Sequence, residues 1–349
     1  MPTIAAAELT EFAQSMFAAA GVPPGDARVV AEGLVGANLR GHDSHGVMRV
    51  PQYIEFLREG HYRLGVDLIV EHETAAAVTC DGQWGFGQVQ AHRLLGKILP
   101  KAKALGIAAG TARNCGHIGR LGEYAERAAE SGIALIATVN NNGSGQRVAP
   151  PGGLEGRLGT NPLCVGIPTE DGPVVLDFGT SVAAEGKVRV YAINEAQTPD
   201  GWLFDSDGKP TNDPNVLYRA PFGTLRPMGG DQAYKGFGLA LVLDMLAGGL
   251  TGGRVAHEGA PPPRGNNVVF LALDPGLFAG RDALIEQATS LAHYVRGTPR
   301  AEGVEAILLP GDPERIVLER RLAEGIPIAP AHWARLAELA LQLGVTPPA

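Results

Sequence analysis

Cysteine is scarce in this chain of 349 residues: Cys80, Cys115 and Cys164 are the only three, far apart and odd in number. With no Cys-x-x-Cys spacing, neither a disulfide framework nor a zinc ribbon is indicated, and a reducing cytoplasm is the expected setting. There is no basic tract, and the net charge of -8 argues against nucleic acid as the main partner. The opening Met-Pro-Thr-Ile-Ala lacks a basic segment followed by an apolar one, and no uncharged apolar run reaches about 18 residues, so a soluble, untargeted protein is expected. Also missing are the Gly-x-Gly-x-x-Gly dinucleotide fingerprint, the Gly-x-x-x-x-Gly-Lys-Ser/Thr phosphate loop and the Gly-x-Ser-x-Gly nucleophile elbow. These absences disfavour a standard Rossmann site, a P-loop ATPase and an elbow-serine hydrolase. Any nucleotide would have to be held in another way.

What is present is a long chain with 45% hydrophobic residues, enough to bury a large core and to divide into two domains of roughly 150 residues each. Only 19% of its residues are charged, yet Arg40-Gly-His-Asp-Ser-His-Gly-Val-Met-Arg49 gathers two histidines, an aspartate, a serine and two arginines. Gly41 and Gly46 bracket this cluster, and Pro51 with the apolar spacing after it places the cluster at a helix entrance. Several chemistries fit. His45 can act as general acid/base, oriented by Ser44 or Asp43, with Arg49 forking a carboxylate. His42 and His45, three apart, can bind a metal in a hydrolase or lyase. A Ser44–His45 nucleophile pair is weaker, because adjacent residues seldom point at each other. The plain structural reading is that Asp43 or Ser44 caps the helix.

Along the chain, apolar periodicity predicts helices over residues 5–20, 26–38 and 51–58, then strands over 67–74 and 75–80. A helix over 87–105 and a short strand over 106–112 lead into Arg113-Asn-Cys-Gly-His-Ile-Gly-Arg-Leu-Gly-Glu-Tyr124, a glycine-rich loop that becomes a helix to Ser131, followed by a strand over 133–140. Backbone NH groups at such a helix start suit a phosphate. A long polar loop over 140–162 reads as functional. Strands over 163–168 and 174–178 follow, with Asp177 ending the second, where a sheet presents ligand-facing groups or where it can cap a helix over 180–190. Residues 198–226 read as an irregular surface excursion. Lys235 stands at a glycine-flanked entrance to an apolar helix ending near Gly248, a candidate anion contact whose default is a solvated lysine. A loop over 259–264, a strand over 268–273, a helix over 282–296, a strand over 306–309 and helices over 314–324 and 329–343 complete the chain, with no internal repeat.

Taken together, Gly41-His-Asp-Ser-His-Gly-Val47 with Arg49, Asn114-Cys-Gly-His117-Ile-Gly, Gly159-Thr-Asn-Pro162, Asp177-Phe-Gly-Thr-Ser181, Tyr234-Lys-Gly236 and Leu309-Pro-Gly-Asp312 resemble, in order and spacing, the type-2 malate/L-lactate dehydrogenase family. The resemblance covers nearly the full length and implies an α/β, non-Rossmann nicotinamide-binding fold. A mixed-sheet cofactor-binding domain over residues 73–312 would join a helical domain built from 1–72 with 313–349. The implied reaction is hydride transfer between a nicotinamide cofactor and a small 2-hydroxy acid or 2-oxo acid of malate or lactate type.

The resemblance also implies roles. His45 matches the acid/base and Ser44 its proton relay, with His117 as rival proton-transfer group. Arg49 and Thr160 match substrate contacts. His117, Ile118, Gly119, Arg120 and Leu121 match one cofactor-contacting turn, Asp177, Phe178, Gly179 and Thr180 a second, and Lys235 and Pro310, Gly311 and Asp312 two more. No metal is implied, NAD is favoured over NADP by family habit, and a homodimer is implied. Arg120, Arg147 and Arg157 are candidates to meet a 2'-phosphate. The family also contains reductases of cyclic imino acids, whose pattern places an acidic residue where this chain has Lys187. Charged lysine cannot accept a proton there, so an open-chain oxo acid is expected over a cyclic imine, with Lys187 adding positive charge near a carboxylate or phosphate.

Overall fold

In the computed structural model, which describes residues 2–262 and 264–348, a two-residue strand β1 (Thr3–Ile4) precedes helices α1 (Ala6–Ala19) and α2 (Pro24–Leu39). Two short 3-10 turns, Asp43–His45 and Val47–Arg49, then run into α3 (Val50–Arg58), with Pro51 in its first turn. The buried faces of these helices carry Leu9, Phe17, Leu34, Tyr53 and Ile54, packed with Ile326 and Leu336 from the far end of the chain. The apolar stripe at helical spacing thus finds its partner only after some 270 intervening residues.

The sheet begins with β2 (Ile69–Glu73) and β3 (Ala77–Asp81), followed by α4 (Gly87–Leu105), β4 (Ile107–Gly116), α5 (Gly122–Glu130), β5 (Ala134–Asn140), β6 (Pro162–Ile167) and β7 (Val174–Gly179). After these come α6 (Glu185–Ile193), three short strands β8 (Leu203–Phe204), β9 (Pro210–Thr211) and β10 (Thr224–Leu225), and α7 (Ala233–Thr251). The chain closes with β11 (Gly265–Leu273), α8 (Arg281–Arg296), α9 (Asp312–Glu324), β12 (Ile326–Pro327) and α10 (Pro330–Gln342).

Seven strands form one mixed sheet in the order β2-β3-β4-β11-β5-β6-β7. Only β3 and β4 pair in parallel, as the α4 crossover between them requires; every other neighbour is antiparallel. The β4–α5–β5 segment is the expected strand–loop–helix–strand unit, but its two strands do not touch, because β11 inserts between them antiparallel to both. That insertion removes the run of adjacent parallel strands on which a doubly wound dinucleotide site depends. On β11, Val268, Phe270 and Ala272 alternate into the core shared with α4 and α5, while Val269 and Leu271 on the other face are only partly covered.

Several expectations from the sequence are corrected. The helix expected over 180–190 starts at Glu185 and runs to Ile193, because residues 180–182 are already committed: Thr180 N donates to Thr160 O at 3.0 Å, and Val182 N donates to Arg226 O at 3.0 Å. The strand expected over 306–309 does not form and joins no ladder. β4 runs on to Gly116 rather than ending near Ala112, carried by pairing with β11. The excursion over 198–226 holds a three-stranded sheet and a small core of its own around Val188, Leu203, Leu217 and Leu225. The loop expected over 259–264 has no helix or strand at its described residues, and residue 263 lies outside them.

Candidate active site

The cluster over residues 40–49 is shaped by bonds that a helix cap would not make. Among the described residues no side chain caps α3, so the capping role expected for Asp43 or Ser44 is not what the structure shows. Asp43 instead takes Arg321 of α9 through both carboxylate oxygens, the Nη2 to Oδ2 bond measuring 3.0 Å, and accepts from Asn38 Nδ2 at 2.6 Å. Asn38 Oδ1 accepts from Val47 N at 2.8 Å, stapling the two 3-10 turns to α2. A Cβ at Gly46 would lie 2.2 Å from that same amide oxygen, so only glycine lets the turn approach so closely.

On this frame Ser44 Oγ lies 3.1 Å from His45 Nδ1. Adjacent residues do meet here, against expectation, because the 3-10 turn brings the two side chains together. Arg49 Nε donates to Ser44 O at 2.7 Å and Nη1 to Gln52 Oε1 at 2.8 Å, and no carboxylate pairs with Arg49 among the described residues. His42 faces elsewhere: its Nε2 lies 3.0 Å from Glu314 Oε1 on α9. The two histidines of the cluster therefore do not converge, and among the described residues no three His, Cys, Asp or Glu side chains are grouped to hold a metal ion.

His117 arrives from the other half of the molecule, just beyond β4. Its ring stacks on His45, with centroids 5.4 Å apart and planes 23° from parallel. Tyr53 Oη lies 2.7 Å from His117 Nδ1, and the backbone N of His117 donates to Tyr62 Oη at 2.9 Å. α4 comes so close that a Cβ on Gly87 would lie 2.1 Å from Gly116 O. Burial lowers the pKa of both rings, and the nearby Arg49 charge lowers it further; His45 is pushed down to about 3 and His117 well below the usual imidazole value. Both are neutral imidazoles near neutral pH.

The remaining sequence-derived positions gather around β7 and the turns beside it. Asp177 Oδ2 accepts from Gly122 N at 2.7 Å, so it caps α5 and not the helix that follows it in sequence. Burial raises its pKa despite the nearby Arg120. Ile118 and Leu121 are core residues, and Gly119 sits at φ +78. Arg120 is buried in an ion pair with Glu126 at 2.7 Å, which also binds Arg40. Phe178 and Gly179 pair with Leu163 and Pro162, and Thr160 O accepts from Thr180. Pro310 O accepts from Val175 N, Gly311 takes φ +93, and Asp312 is bound by Arg296, Arg315 and Leu309 N. Gly186 of α6 lies against Ser44, since a Cβ there would be 2.8 Å from Ser44 Cβ. The neighbouring Lys187 is exposed, as is Lys235, and neither has an ion-pair partner among the described residues.

Sequence reasoning passed over Tyr53, Tyr62, Gln88, Asn38 and Arg321. A signal for two of them existed. Gln88 continues the buried α4 stripe of Ala91, Leu95, Ile98 and Ala102, and Asn38 continues the α2 stripe of Ala27, Ala31 and Leu34. A polar side chain on an apolar stripe has to find a buried partner.

This arrangement can move a proton beside an anchored anion, and similarity to known proteins agrees in kind. The malate/L-lactate dehydrogenase family model matches residues 4–337. Hydroxycarboxylate dehydrogenase B of Escherichia coli K12 is 36% identical over 342 residues, 97% of this chain and 93% of that protein. The structure of malate dehydrogenase from Pyrococcus horikoshii OT3 superposes with a TM-score of 0.90 at 31% identity, covering 99% of this chain and 97% of that one. That of delta1-piperideine-2-carboxylate reductase from Pseudomonas syringae superposes with a TM-score of 0.84 at 31% identity, covering 97% and 100%. With a family match along nearly the whole chain, relatives of this identity and a shared mixed-sheet fold, the chain belongs to the malate/L-lactate dehydrogenase family.

Proposed function

We propose that the chain is an oxidoreductase that transfers hydride between a nicotinamide cofactor and a small 2-hydroxy acid or its 2-oxo form, of malate or lactate type. The observation that carries this is the stacked pair of neutral histidines beside Arg49, a guanidinium with no carboxylate of its own. Among the described residues Arg49 Nη2 makes no bond, which leaves it to take a substrate carboxylate. Thr160, whose side-chain hydroxyl makes no bond among the described residues, is the second proposed substrate contact.

In oxidation, His45 is the base. With Ser44 Oγ accepting from Nδ1–H, Nε2 keeps its lone pair and takes the substrate hydroxyl proton; in reduction the same nitrogen returns it. A nicotinamide held there would serve as hydride donor or acceptor for the substrate C2. Arg49 contributes by fixing the carboxylate, so that C2 is positioned before the chemical step.

The residues present fit a phosphate-bearing cofactor. Lys187 and Lys235 are each the third residue of their helices, α6 and α7, where a cation opposes the helix dipole and gains nothing for stability. Both are exposed and unpaired among the described residues, which suits them to a pyrophosphate. The turns His117–Leu121, Asp177–Gly179 and Pro310–Asp312 are the other proposed contacts, within a cofactor domain of residues 73–312 set against a helical domain of 1–72 with 313–349. NAD is the proposed cofactor, with NADP the variant.

An open-chain oxo acid is the proposed substrate over a cyclic imine, because Lys187 stands where the imine-reducing branch carries an acid. We also take the enzyme to be a homodimer. Val242, Met245, Leu246 and Leu250 form an exposed apolar row on α7 that a second copy would cover. Light scattering that finds an active monomer would remove the dimer. The function is tested by NAD(P)H absorbance with oxaloacetate, pyruvate and piperideine-2-carboxylate side by side. Turnover of an oxo acid at higher kcat/KM than the imine is expected; a clear preference for the imine would move the substrate class, and no nucleotide turnover with any of them would overturn the reading.

A further inference from the structure

The hydrogen bonds behind His117 specify which of its nitrogens carries the proton. Gln88, fully buried on α4, donates from Nε2 to Tyr53 Oη at 3.2 Å. The Tyr53 hydroxyl proton is then directed at His117 Nδ1, 2.7 Å away, in preference to His117 O at 3.5 Å. Turning the Gln88 amide over would reverse the chain: Tyr53 would donate to Gln88, and Nδ1 would need a proton to give to Tyr53. The backbone opposes that reversal. Gly119 N–H points at the same Nδ1 at 3.3 Å, and a peptide NH has no rotor with which to turn away. Two donors converge on Nδ1, so it carries the lone pair. The neutral ring therefore holds its proton on Nε2, on the edge away from Tyr53. An imidazolium would set a third N–H against those two donors, and burial with the Arg49 charge disfavours it further. Burial also pushes the Tyr53 pKa up to about 12, which keeps the phenol proton in place as a donor.

We propose that Tyr53 and Gln88 are positioning residues that lock His117 as the Nε2–H tautomer, so that it presents the substrate oxygen with a fixed hydrogen-bond donor and leaves proton transfer to His45. This rests on the hydride-transfer reading above. A bare Nδ1 cannot be recruited as a base, because it is enclosed by its own donors, and Nε2 is already protonated. His117 thus stabilises charge growing on the substrate oxygen, while His45, whose one ring hydrogen-bond partner among the described residues is the rotatable Ser44 hydroxyl, changes protonation state.

The test begins without substrate. Two-bond proton–nitrogen correlation spectra of the cofactor-free full-length protein, with nitrogen-labelled histidine and His117 assigned by a His117→Gln variant, are expected to show the Nε2–H pattern for His117. In Tyr53→Phe, which keeps the buried ring, and in Gln88→Glu, whose carboxylate would accept from Tyr53 and reverse the chain, the Nδ1–H tautomer is expected to appear. Both variants are expected to lose roughly 10- to 100-fold in kcat for oxo-acid reduction, the usual cost of removing a partner behind a functional histidine, with KM little changed. An Nδ1–H pattern in the wild-type protein overturns the proposal, as does wild-type kcat in a folded Tyr53→Phe. Failure of all three proteins to turn over any oxo acid would count against the hydride-transfer reading, and the spectra would still decide the tautomer.

Discussion

His45 and His117 stack ring on ring, yet one sits on a polar turn tied down by an ion pair and the other at a strand end walled by aromatic rings. The His45 turn is held from beneath, by Arg321 and Asn38, through the neighbouring Asp43 and Val47, and the imidazole itself meets one hydroxyl that can rotate. The His117 turn is held through the imidazole, by Tyr53 and by Gly119 N–H, and through its backbone N, by Tyr62. A ring whose partner can switch between donating and accepting can gain and lose a proton at little cost. A ring met by a peptide N–H and by a phenol that Gln88 holds as a donor is better suited to a constant electrostatic role. The proposed division of labour between the two rings rests on that contrast and on no difference in residue type.

The largest test of that contrast is His45→Ala, expected to lower kcat on the order of 10²- to 10⁴-fold while leaving cofactor affinity nearly unchanged. Stopped-flow turnover and cofactor titration would measure the two effects. A variant with near-wild-type kcat would transfer the proton to His117 and erase the division. A smaller effect is expected from Asp43→Ala, which leaves the Arg321 guanidinium without its carboxylate; the cost is about 1–3 kcal/mol of stability by denaturant melting. Its activity loss is expected to come through the His45 turn alone, so the His117 ring signals in nitrogen-edited spectra should not move. Movement there would show that the two turns are not independent.

The smallest effect per unit is the dependence of stability on pH. His45 and His117 both have depressed pKa values in the folded protein, chiefly through burial and next through Arg49, and His332 of α10 has a depressed value of the same sign. Between pH 6.5 and the lower folded values the unfolded chain binds more protons, so stability falls as pH falls, by at most about 1.4 kcal/mol per pH unit for each histidine. Carboxylates with depressed values, such as Asp81, Asp312 and Glu314, lose their contribution only below the ordinary carboxylate range. Thermal melts at pH 7, 6 and 5 therefore lie above the range of these carboxylates; Asp177, whose pKa burial raises, changes stability in the opposite sense to the histidines. His45→Gln and His117→Gln should each flatten the slope, and a flat wild-type profile would contradict the burial argument.

Much was legible in the residue order because it depended on local chemistry. Helices α1 to α5 and most of the sheet strands follow from apolar periodicity and from Gly and Pro punctuation; the shifted start of α6 is a case where tertiary bonds outweighed a local pattern, and the segment over 306–309 has no ladder to join. The clustering of His45, Ser44 and Arg49 was visible because ten consecutive residues hold all of them, and no folding was needed to bring them near one another. His117 was visible as a glycine-flanked histidine, but nothing in the sequence near it announced that its ring would lie on His45.

By itself the sequence determined the family, the helical and strand segments and the list of polar residues able to do chemistry, because each of these is written in neighbouring positions. Three things were left to the tertiary structure: the insertion of β11 between β4 and β5, the pairing of Asp43 with Arg321 across 278 positions, and the alignment of Gln88, Tyr53 and Gly119 behind His117. Those contacts join segments that propensity treats as independent. A hydrogen bond's direction, and with it the site of a ring proton, exists only once every donor around the acceptor is in place.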